Sequence, residues 1–326
     1  MRTTFSGAIR KTLKEEMQAD DNIFIMGEDV GEYGGIFNAT RGLIRDFGAD
    51  RVIDTPLSEL SIAGAGIGAA VAGLRPVIEI MYADFLTITM DQIVNNAAKM
   101  SYLSCGKYQV PIVIRSNFGI GSAEGAHHTQ TPHAWFMNVP GLKIVVPSTP
   151  KDVCGLLKSS IRDNNPVLFL EHKMLYKFRG EIGDKIEPIP LGKGEIKHEG
   201  TDLTVVASAL MLHKSLKAAE ELKKEYDISI EVIDIRTIKP FDEDIIINSV
   251  KKTGQLVIVE EAPYTGGWGA QIVDTVYRKL FKELKSPPLR ITSPDIPISA
   301  MNKLENMRVP SVEKIKNHIK NILENI

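Results

Sequence analysis

Cysteine is scarce in this sequence, since only Cys105 and Cys154 occur among 326 residues. Two cysteines cannot form a disulfide framework, so a reducing compartment, the cytoplasm, is expected. Long apolar runs are also missing: none approaches the roughly 18 residues of a membrane span, and no signal-peptide core is present. The formal net charge of −2 provides no basic surface for nucleic acid or anionic membranes. These absences predict a cytoplasmic globular protein without nucleic-acid or membrane partners.

Apolar strand-like segments alternate with helix-like segments along the whole chain, which predicts an α/β fold with a doubly wound, mainly parallel sheet. The pattern is lost over residues 178–190, where glycine and proline punctuate the chain, and a second α/β cycle then starts. We therefore predict a first domain over residues 1–185, a linker over 186–200 and a smaller second domain over 201–326.

Residues 64–69, with the sequence GAGIGA, match a relaxed form of the dinucleotide-binding fingerprint. That fingerprint binds phosphate only where it forms the turn from a strand into a helix. Here about ten residues, including Pro56 and Glu59, separate the strand predicted at 52–54 from the first glycine. We therefore predict that the glycines are close-packing positions inside a helix over 61–74, and that they bind no nicotinamide or flavin nucleotide.

Glu59 is a lone carboxylate between the extended segment that ends at Asp54 and the predicted helix. An acidic residue near a helix N-terminus is ordinary, because the helix dipole stabilises it. One strand later the chain carries Tyr82, Asp84 and Phe85. A carboxylate with an aromatic ring one βα unit away suits a flat, partly apolar ligand that needs one carboxylate contact. Both interpretations of Glu59 remain open at this point.

A loop predicted over 117–132 is rich in glycine and contains His127 and His128, with His133 just beyond it. A metal site is one interpretation, although adjacent histidines point apart and no familiar zinc spacing occurs. A surface loop with incidental histidines is a second. The third is a loop that lowers one histidine into a cleft as an acid/base group.

Two further segments have competing interpretations. Residues 161–166, with the sequence IRDNNP, are typical of a tight turn at a helix end, but their oxygens could also hold a monovalent cation together with main-chain carbonyls. Residues 260–269 contain glycines before a predicted helix, but no Lys-Ser/Thr follows as a phosphate loop requires. For this segment we predict a tight turn at an interface, with Trp268 as a buried anchor.

In this order, the motifs resemble one family, the β subunits of the E1 component of 2-oxo acid dehydrogenase complexes. The motifs that carry the resemblance are Gly27-Glu28-Asp29-Val30, Asp54-Thr55-Pro56-Leu57-Ser58-Glu59, Gly73-Leu74-Arg75-Pro76, Asp91-Gln92-Ile93, His128-Thr129-Gln130, Pro140-Gly141-Leu142-Lys143, Ile161-Arg162-Asp163-Asn164-Asn165-Pro166 and Gly266-Gly267. They run from the first predicted helix to the last, so the resemblance covers essentially the whole chain.

The resemblance implies a thiamine-diphosphate-dependent enzyme subunit. Its fold would be a pyrimidine-type doubly wound parallel sheet followed by a smaller transketolase C-terminal-like α/β domain. In this family the α subunit holds the diphosphate and Mg²⁺ through a Gly-Asp-Gly motif, which this sequence lacks. The active site is therefore expected at an α/β interface of an α2β2 heterotetramer, and the E2 lipoyl acyltransferase is expected to bind the C-terminal domain.

The resemblance also implies roles for individual residues. Glu59 would accept a hydrogen bond from the aminopyrimidine ring of the cofactor, and His128 would transfer protons while the acyl group passes to a lipoyl arm. The expected cofactor-binding residues beside Glu59 are Leu57, Met81 and Phe85. The expected structural K⁺ site consists of Asp163 and Asn165, with main-chain oxygens near Ile112 and Ser160.

Several alternatives remain open. The residues Glu171-His172-Lys173 and Leu175-Tyr176 resemble acetoin-cleaving and branched-chain members, but pyruvate, branched 2-oxo acids and acetoin all remain candidate substrates. The roles of His127 and His133 are undecided, because several relatives carry Glu or Ala at the position of His133. Rival functions are a split transketolase-type subunit that transfers ketol units, and a non-catalytic assembly subunit that anchors E2.

Overall fold

A computed structural model describes residues 1–183 and 185–324 of the chain. Position 184, in the stretch 178–190 where the α/β pattern is lost, and positions 325–326, in the predicted second domain, lie outside the described residues. The strands are β1 (Arg2–Thr4), β2 (Ile23–Gly27), β3 (Val52–Asp54), β4 (Arg75–Ile80), β5 (Val113–Phe118), β6 (Lys143–Val145), β7 (Val167–His172), β8 (Arg179–Glu181), β9 (Glu195–His198), β10 (Leu203–Ala207), β11 (Ile230–Asp234), β12 (Thr237–Lys239), β13 (Leu256–Pro263) and β14 (Leu289–Ser293). The α-helices are α1 (Phe5–Ala19), α2 (Leu43–Phe47), α3 (Glu59–Val71), α4 (Ala98–Leu103), α5 (His133–Met137), α6 (Pro150–Arg162), α7 (Ala209–Tyr226), α8 (Glu243–Thr253), α9 (Gly269–Leu280), α10 (Asn302–Arg308) and α11 (Val312–Glu324). A π turn covers Gln92–Ala97, and 3₁₀ turns cover Ala83–Thr87 and Lys173–Leu175.

Within the described ranges, the strands form two large sheets and one small one. A seven-stranded sheet has the order β12-β6-β7-β5-β4-β2-β3 and is parallel except for the pair β12 and β6. A five-stranded sheet has the order β14-β13-β10-β11-β9 and is parallel except for the pair β11 and β9. Strands β5, β7 and β10 are buried along their whole length, as expected when helices cover both faces of a sheet. The predicted doubly wound α/β fold is confirmed.

Helix α1 shows how the apolar pattern determines packing. Its residues Phe5, Ile9, Leu13 and Met17 recur at helical spacing and are all fully buried. The helix begins where the Thr4 hydroxyl accepts a hydrogen bond from the Gly7 amide at 3.0 Å, which satisfies one free donor of the first turn. The apolar spacing of this segment therefore accounts for a helix with one fully buried face.

The glycines of α3 lie inside the helix, as predicted, but only one of them is tightly packed. A Cβ atom on Gly66 would lie 2.8 Å from the Ile78 side chain and 3.1 Å from that of Ile112. A Cβ atom on Gly68 would meet nothing within 4 Å. The packing interpretation is correct for Gly66, which lies against the sheet, and wrong for Gly68, which is exposed.

The sheets also contain elements that the sequence pattern does not indicate. Strand β9 lies inside the stretch predicted as a linker and pairs with β11, while β12, which comes after β11, joins the first sheet. Strand β8, inside the stretch 178–190 where the pattern is lost, pairs with β1. The chain thus crosses between the two large sheets more than once, so the membership of strands in sheets does not test the predicted domain boundaries, which stay a prediction. Among the described residues, no helix is long and apolar enough to cross a bilayer.

Candidate functional site

The candidate site lies where adjacent parallel strands of the first sheet end. Strand β2 pairs with β3 on one side and with β4 on the other, with Gly27 opposite both Asp54 and Glu79. The carboxyl ends of the three strands therefore meet at one edge, where ligands bind in open α/β sheets. The segments that follow these strands carry Glu28 and Glu59.

Glu59 is the first residue of α3 and is half-buried. Its carboxylate accepts no hydrogen bond from residues 1–183 or 185–324, and Leu57 beside it is 83% exposed. The neighbouring carboxyl of Glu28 is buried, and its Oε1 atom has no partner within those same residues. Burial raises the pKa of Glu28, the charge of Glu59 raises it further, and the Ser58 amide opposes both. Two carboxyl groups thus share this edge, and Glu59 is the one available to a ligand.

The structure brings three of the aromatic rings at this edge together. The ring of His128 lies edge-on to Tyr82, with centroids 4.7 Å apart, and edge-on to Phe85 at 5.5 Å. Phe85 and His128, which the resemblance assigns to one active site, are therefore neighbours. Met81, just beyond β4, is half-buried like Phe85. The three rings together form a largely apolar surface at this edge, and the imidazole of His128 is part of it.

Lys173 holds one side of the His128 loop, residues 119–132. Its Nζ atom donates a hydrogen bond to the His128 carbonyl and another, of 2.7 Å, to the Glu124 carboxylate. The Tyr82 hydroxyl donates to the other oxygen of Glu124 at 3.3 Å. Sequence reasoning assigned no role to Lys173 or Glu124, although Lys173 lies in the motif that carries the resemblance to branched-chain members.

Two carboxylates from the C-terminal part of the chain hold the other side of this loop. Glu305 in α10 is 1% exposed and accepts hydrogen bonds from the amides of Gly121 at 3.1 Å and Ala123 at 3.2 Å. Glu261 in β13 accepts one from the Ile120 amide at 2.8 Å. Ala123 has φ of 51°, which is unfavourable for a residue other than glycine, so these bonds stabilise a conformation that the loop alone disfavours.

Glu261 also connects the loop to a buried pair of histidines. The Nδ1 atom of His172 accepts a hydrogen bond from the Met174 amide, so its Nε2–H donates to Glu261 at 2.8 Å. Burial opposes ionisation of Glu261, but the attraction of His172 and the hydrogen bonds that it accepts lower its pKa. His133 lies nearby with 3% exposure and packs edge-on against Phe118 at 4.5 Å. Burial lowers the pKa of His133 to about 3, so this residue is a neutral part of the core.

The four residues expected to hold K⁺ lie around one turn and already have hydrogen-bond partners. Asp163 accepts hydrogen bonds from the amide and the side chain of Asn165, and Lys143 pairs with its other oxygen. Burial raises the pKa of Asp163, but the hydrogen bonds from Lys143 and Asn165 outweigh this effect and lower the pKa below its usual value. The Ile112 carbonyl accepts from the Val167 amide at 2.9 Å, and the Ser160 carbonyl accepts from the Asp163 amide at 3.3 Å. This geometry is that of the tight turn, and the K⁺ site stays a prediction.

Other predictions concern residues farther from this edge. Trp268 is 3% exposed and packs in the core at the start of α9, as predicted for the glycine-rich segment 260–269. His127 is exposed, and its ring makes no hydrogen bond in the part of the chain that the structure describes. The part of the chain that the structure describes contains no group of three or more His, Cys, Asp or Glu side chains that could hold a metal ion.

Comparison with known proteins agrees with this geometry. Residues 2–179 match the transketolase pyrimidine-binding domain, and residues 192–315 match the transketolase C-terminal domain. The chain is 43% identical over 322 residues to the pyruvate dehydrogenase E1 component subunit beta of Rickettsia bellii, covering 99% of each chain. It is 44% identical over 295 residues to the 2-oxoisovalerate dehydrogenase subunit beta of Bacillus subtilis, covering 90% of each. The chain belongs to the family of E1 β subunits of 2-oxo acid dehydrogenases.

A solved split-gene transketolase, described as an inactive β4 tetramer, has the same fold as this E1 β chain, with a TM-score of 0.80, 20% identity and 98% coverage of each chain. The E1 family is dependent on thiamine diphosphate. In this member Leu57, Leu60 and Ile88 expose 83%, 46% and 49% of their surface close in sequence to Glu59 and Phe85. Apolar side chains exposed beside a functional site are typical of a surface that another chain covers.

Proposed function

We propose that this chain supplies the pyrimidine half of the active site of a thiamine-diphosphate-dependent E1 enzyme, which cleaves a carbon–carbon bond beside a carbonyl and passes the acyl group to lipoyl-E2. The observation that carries the proposal is the Glu59 carboxylate, which accepts no hydrogen bond in the described chain and stands at the edge formed by β3, β2 and β4. The family to which the chain belongs supports it.

The residues at this edge fit an aminopyrimidine ring. Glu59 offers a charged acceptor, which forms a short and strong hydrogen bond with a ring N–H. Phe85 offers an apolar surface, Met81 lies four positions before it in the chain, and Leu57 lies two positions before Glu59. The bound cofactor would supply the electron sink for bond cleavage. Glu59 would hold the proton at the ring nitrogen N1′, and Phe85 would orient the ring.

The other half of the site would come from a second chain. An E1 α subunit would hold the diphosphate and Mg²⁺, since the Gly-Asp-Gly motif is missing here. The exposed side chains of Leu57, Leu60 and Ile88 support contact with such a partner in an α2β2 heterotetramer. E2 would bind through the C-terminal domain, and K⁺ would bind at the Asp163 turn.

The substrate class is a 2-oxo acid or acetoin. Relatives named for pyruvate and for 2-oxoisovalerate are similar to the chain to the same degree, at 43% and 44% identity. Assays of the reconstituted enzyme with pyruvate, 3-methyl-2-oxobutanoate and acetoin would identify the substrate. A split transketolase is disfavoured because the relatives named at this identity are E1 β subunits.

The Glu59 role is tested by Glu59→Gln in the reconstituted α2β2 enzyme. The variant keeps the size of the side chain but removes the charge, so we expect turnover to fall at least about a hundredfold while assembly survives. Glu220→Gln is the matched control, since Glu220 is exposed on α7, a helix that packs on β10 and β11 of the second sheet. Cofactor binding is measured in parallel by calorimetry. Unchanged turnover in Glu59→Gln with intact assembly would contradict the proposal and would favour the non-catalytic assembly subunit instead.

The His128 role is tested by comparing two assays of His128→Ala. We expect acyl transfer to a lipoyl domain to fall about a hundredfold or more, because the proton carrier is missing, while decarboxylation with an artificial electron acceptor falls far less. His127→Ala is the control, since it removes an exposed imidazole from the adjacent position. An equal loss in both assays would argue against a specific role in acyl transfer.

A further inference from the structure

A cavity lies between the His128 loop and the C-terminal part of the chain. It has a volume of about 510 Å³ and is lined by His127, Gln130 and Trp135 on one side and by Pro263, Ile298 and Arg308 on the other. Glu59, Tyr82, Phe85 and His128 are not among the described residues that line it. The cavity is therefore separate from the site at the carboxyl ends of β3, β2 and β4.

Arg308 is the unusual member of the cavity wall. It is 8% exposed, and its Nε atom donates a hydrogen bond to the Ile296 carbonyl at 2.9 Å. Its Nη1 atom is buried and has no hydrogen-bond partner in residues 1–183 and 185–324. A buried guanidinium that lacks an acceptor loses hydration without compensation, which is costly for a charged group.

The nearest acidic groups do not supply the missing acceptor. Asp295 accepts hydrogen bonds from the amide and hydroxyl of Thr265, at 3.0 and 2.7 Å. Glu261 is bound by His172 and by the Ile120 amide. Burial lowers the pKa of Arg308 even though the charges of Glu261 and Asp295 oppose this effect. The guanidinium therefore keeps unused donor capacity in a wall that is otherwise largely apolar.

We propose that this cavity binds a small organic monocarboxylate, with the carboxylate on Arg308 and the apolar part against Trp135, Pro263 and Ile298. The planar guanidinium matches the geometry of a carboxylate. The apolar walls favour a ligand with a hydrocarbon or aromatic body. The carboxylate of Asp295 in the same wall repels any anion, but it repels a doubly charged phosphate about twice as strongly as a singly charged carboxylate.

The test is calorimetric titration of the reconstituted α2β2 enzyme with sodium benzoate. Thiamine diphosphate and Mg²⁺ are present throughout, so that the anion site of the cofactor is filled. Parallel titrations use inorganic phosphate and sodium chloride at matched ionic strength. We expect saturable binding of one benzoate per β chain, with phosphate and chloride binding much more weakly.

Variants assign the binding to Arg308. Arg308→Gln is expected to weaken benzoate at least about tenfold, because a charge-assisted hydrogen bond is lost, and Arg308→Lys to weaken it less. Arg278→Gln is the control, since Arg278 is exposed on α9 and, among the residues that the structure describes, its ion pair is with Asp274 alone. Melting temperatures report whether each variant folds.

The proposal is overturned if wild-type enzyme shows no saturable benzoate binding, if Arg308→Gln binds as tightly as wild type, or if phosphate binds in preference. The wild-type and Arg308→Lys titrations decide the question even if Arg308→Gln does not fold. The readout is binding rather than turnover, so its failure is distinguishable from failure of the proposed E1 function.

Discussion

Burial of a neutral His133 makes the stability of this protein depend on pH in a way that can be calculated. His133 is 3% exposed, and neither ring nitrogen has a hydrogen-bond partner within the described residues. Burial lowers its pKa from 6.5 to about 3, with His172 adding to the effect and Glu261 opposing it. In the unfolded chain the imidazole recovers its ordinary pKa and binds a proton first as the pH falls. The contribution of His133 is therefore fully present above pH 6.5 and is lost between pH 6.5 and about 3.

The magnitude follows from the difference between the two pKa values. Each pH unit between them corresponds to about 1.4 kcal/mol, so at about pH 5 the unfolded state gains about 2 kcal/mol from protonation of this residue. His133→Phe keeps an aromatic ring against Phe118 but cannot bind a proton. We expect the variant to lose about 2 kcal/mol less free energy of unfolding than wild type when the pH falls from about 7.5 to about 5.

Urea unfolding of the purified chain, followed by circular dichroism at fixed protein concentration, measures these free energies. A constant offset between His133→Phe and wild type at both pH values reflects altered packing and does not affect the comparison. His127→Ala controls for an exposed imidazole and should follow the wild-type pH dependence. Equal pH dependence in wild type and His133→Phe would refute the argument that His133 is buried as a neutral group.

Two further predictions concern packing and the His128 loop. Gly66→Ala should lower the free energy of unfolding by about 1–3 kcal/mol, because the added Cβ atom would lie 2.8 Å from the Ile78 side chain. Gly68→Ala should be neutral or should raise the free energy of unfolding by up to about 1 kcal/mol, since nothing lies within 4 Å of the added Cβ atom. Urea unfolding of both variants measures the two effects. Glu305→Gln should increase hydrogen exchange several-fold at the amide of Gly121 or Ala123 while the core strands keep their protection, because the carboxamide has one accepting oxygen instead of two and its NH2 group cannot accept from the other loop amide. Unchanged exchange at both amides would show that Glu305 does not hold the loop.

The fold could be predicted largely from periodicity, and the exceptions have a common cause. Strands such as β10 are continuous apolar runs because both faces of the sheet are covered, and this pattern is visible in sequence. Strand β9 consists of four half-buried residues at a sheet edge, and β12 contains only three residues. Short edge strands carry too few residues to show a period, so the pattern cannot distinguish them from a linker.

The candidate site was predictable where a side chain acts through its own chemistry. Glu59 was identified as a lone carboxylate before a helix, and the structure leaves it without a hydrogen bond among the described residues. Glu305 was not identified, because it binds backbone amides 182 and 184 positions away. Backbone donors have no signature in sequence, so a carboxylate that binds them looks like any other surface glutamate until the chain is folded.

The contrast between His128 and Glu59 indicates which part of the site this chain does not complete. The backbone of His128 is held by Lys173, and its ring is held by Phe85 and Tyr82. The Glu59 carboxylate, by comparison, accepts no hydrogen bond from the described chain. A partner that covered this edge without supplying a donor would bury an unpaired charge, which costs several kcal/mol by the usual order of magnitude. Association of the partner and binding of a donor to Glu59 should therefore favour each other, and we expect tighter α/β association in the presence of thiamine diphosphate for wild type than for Glu59→Gln.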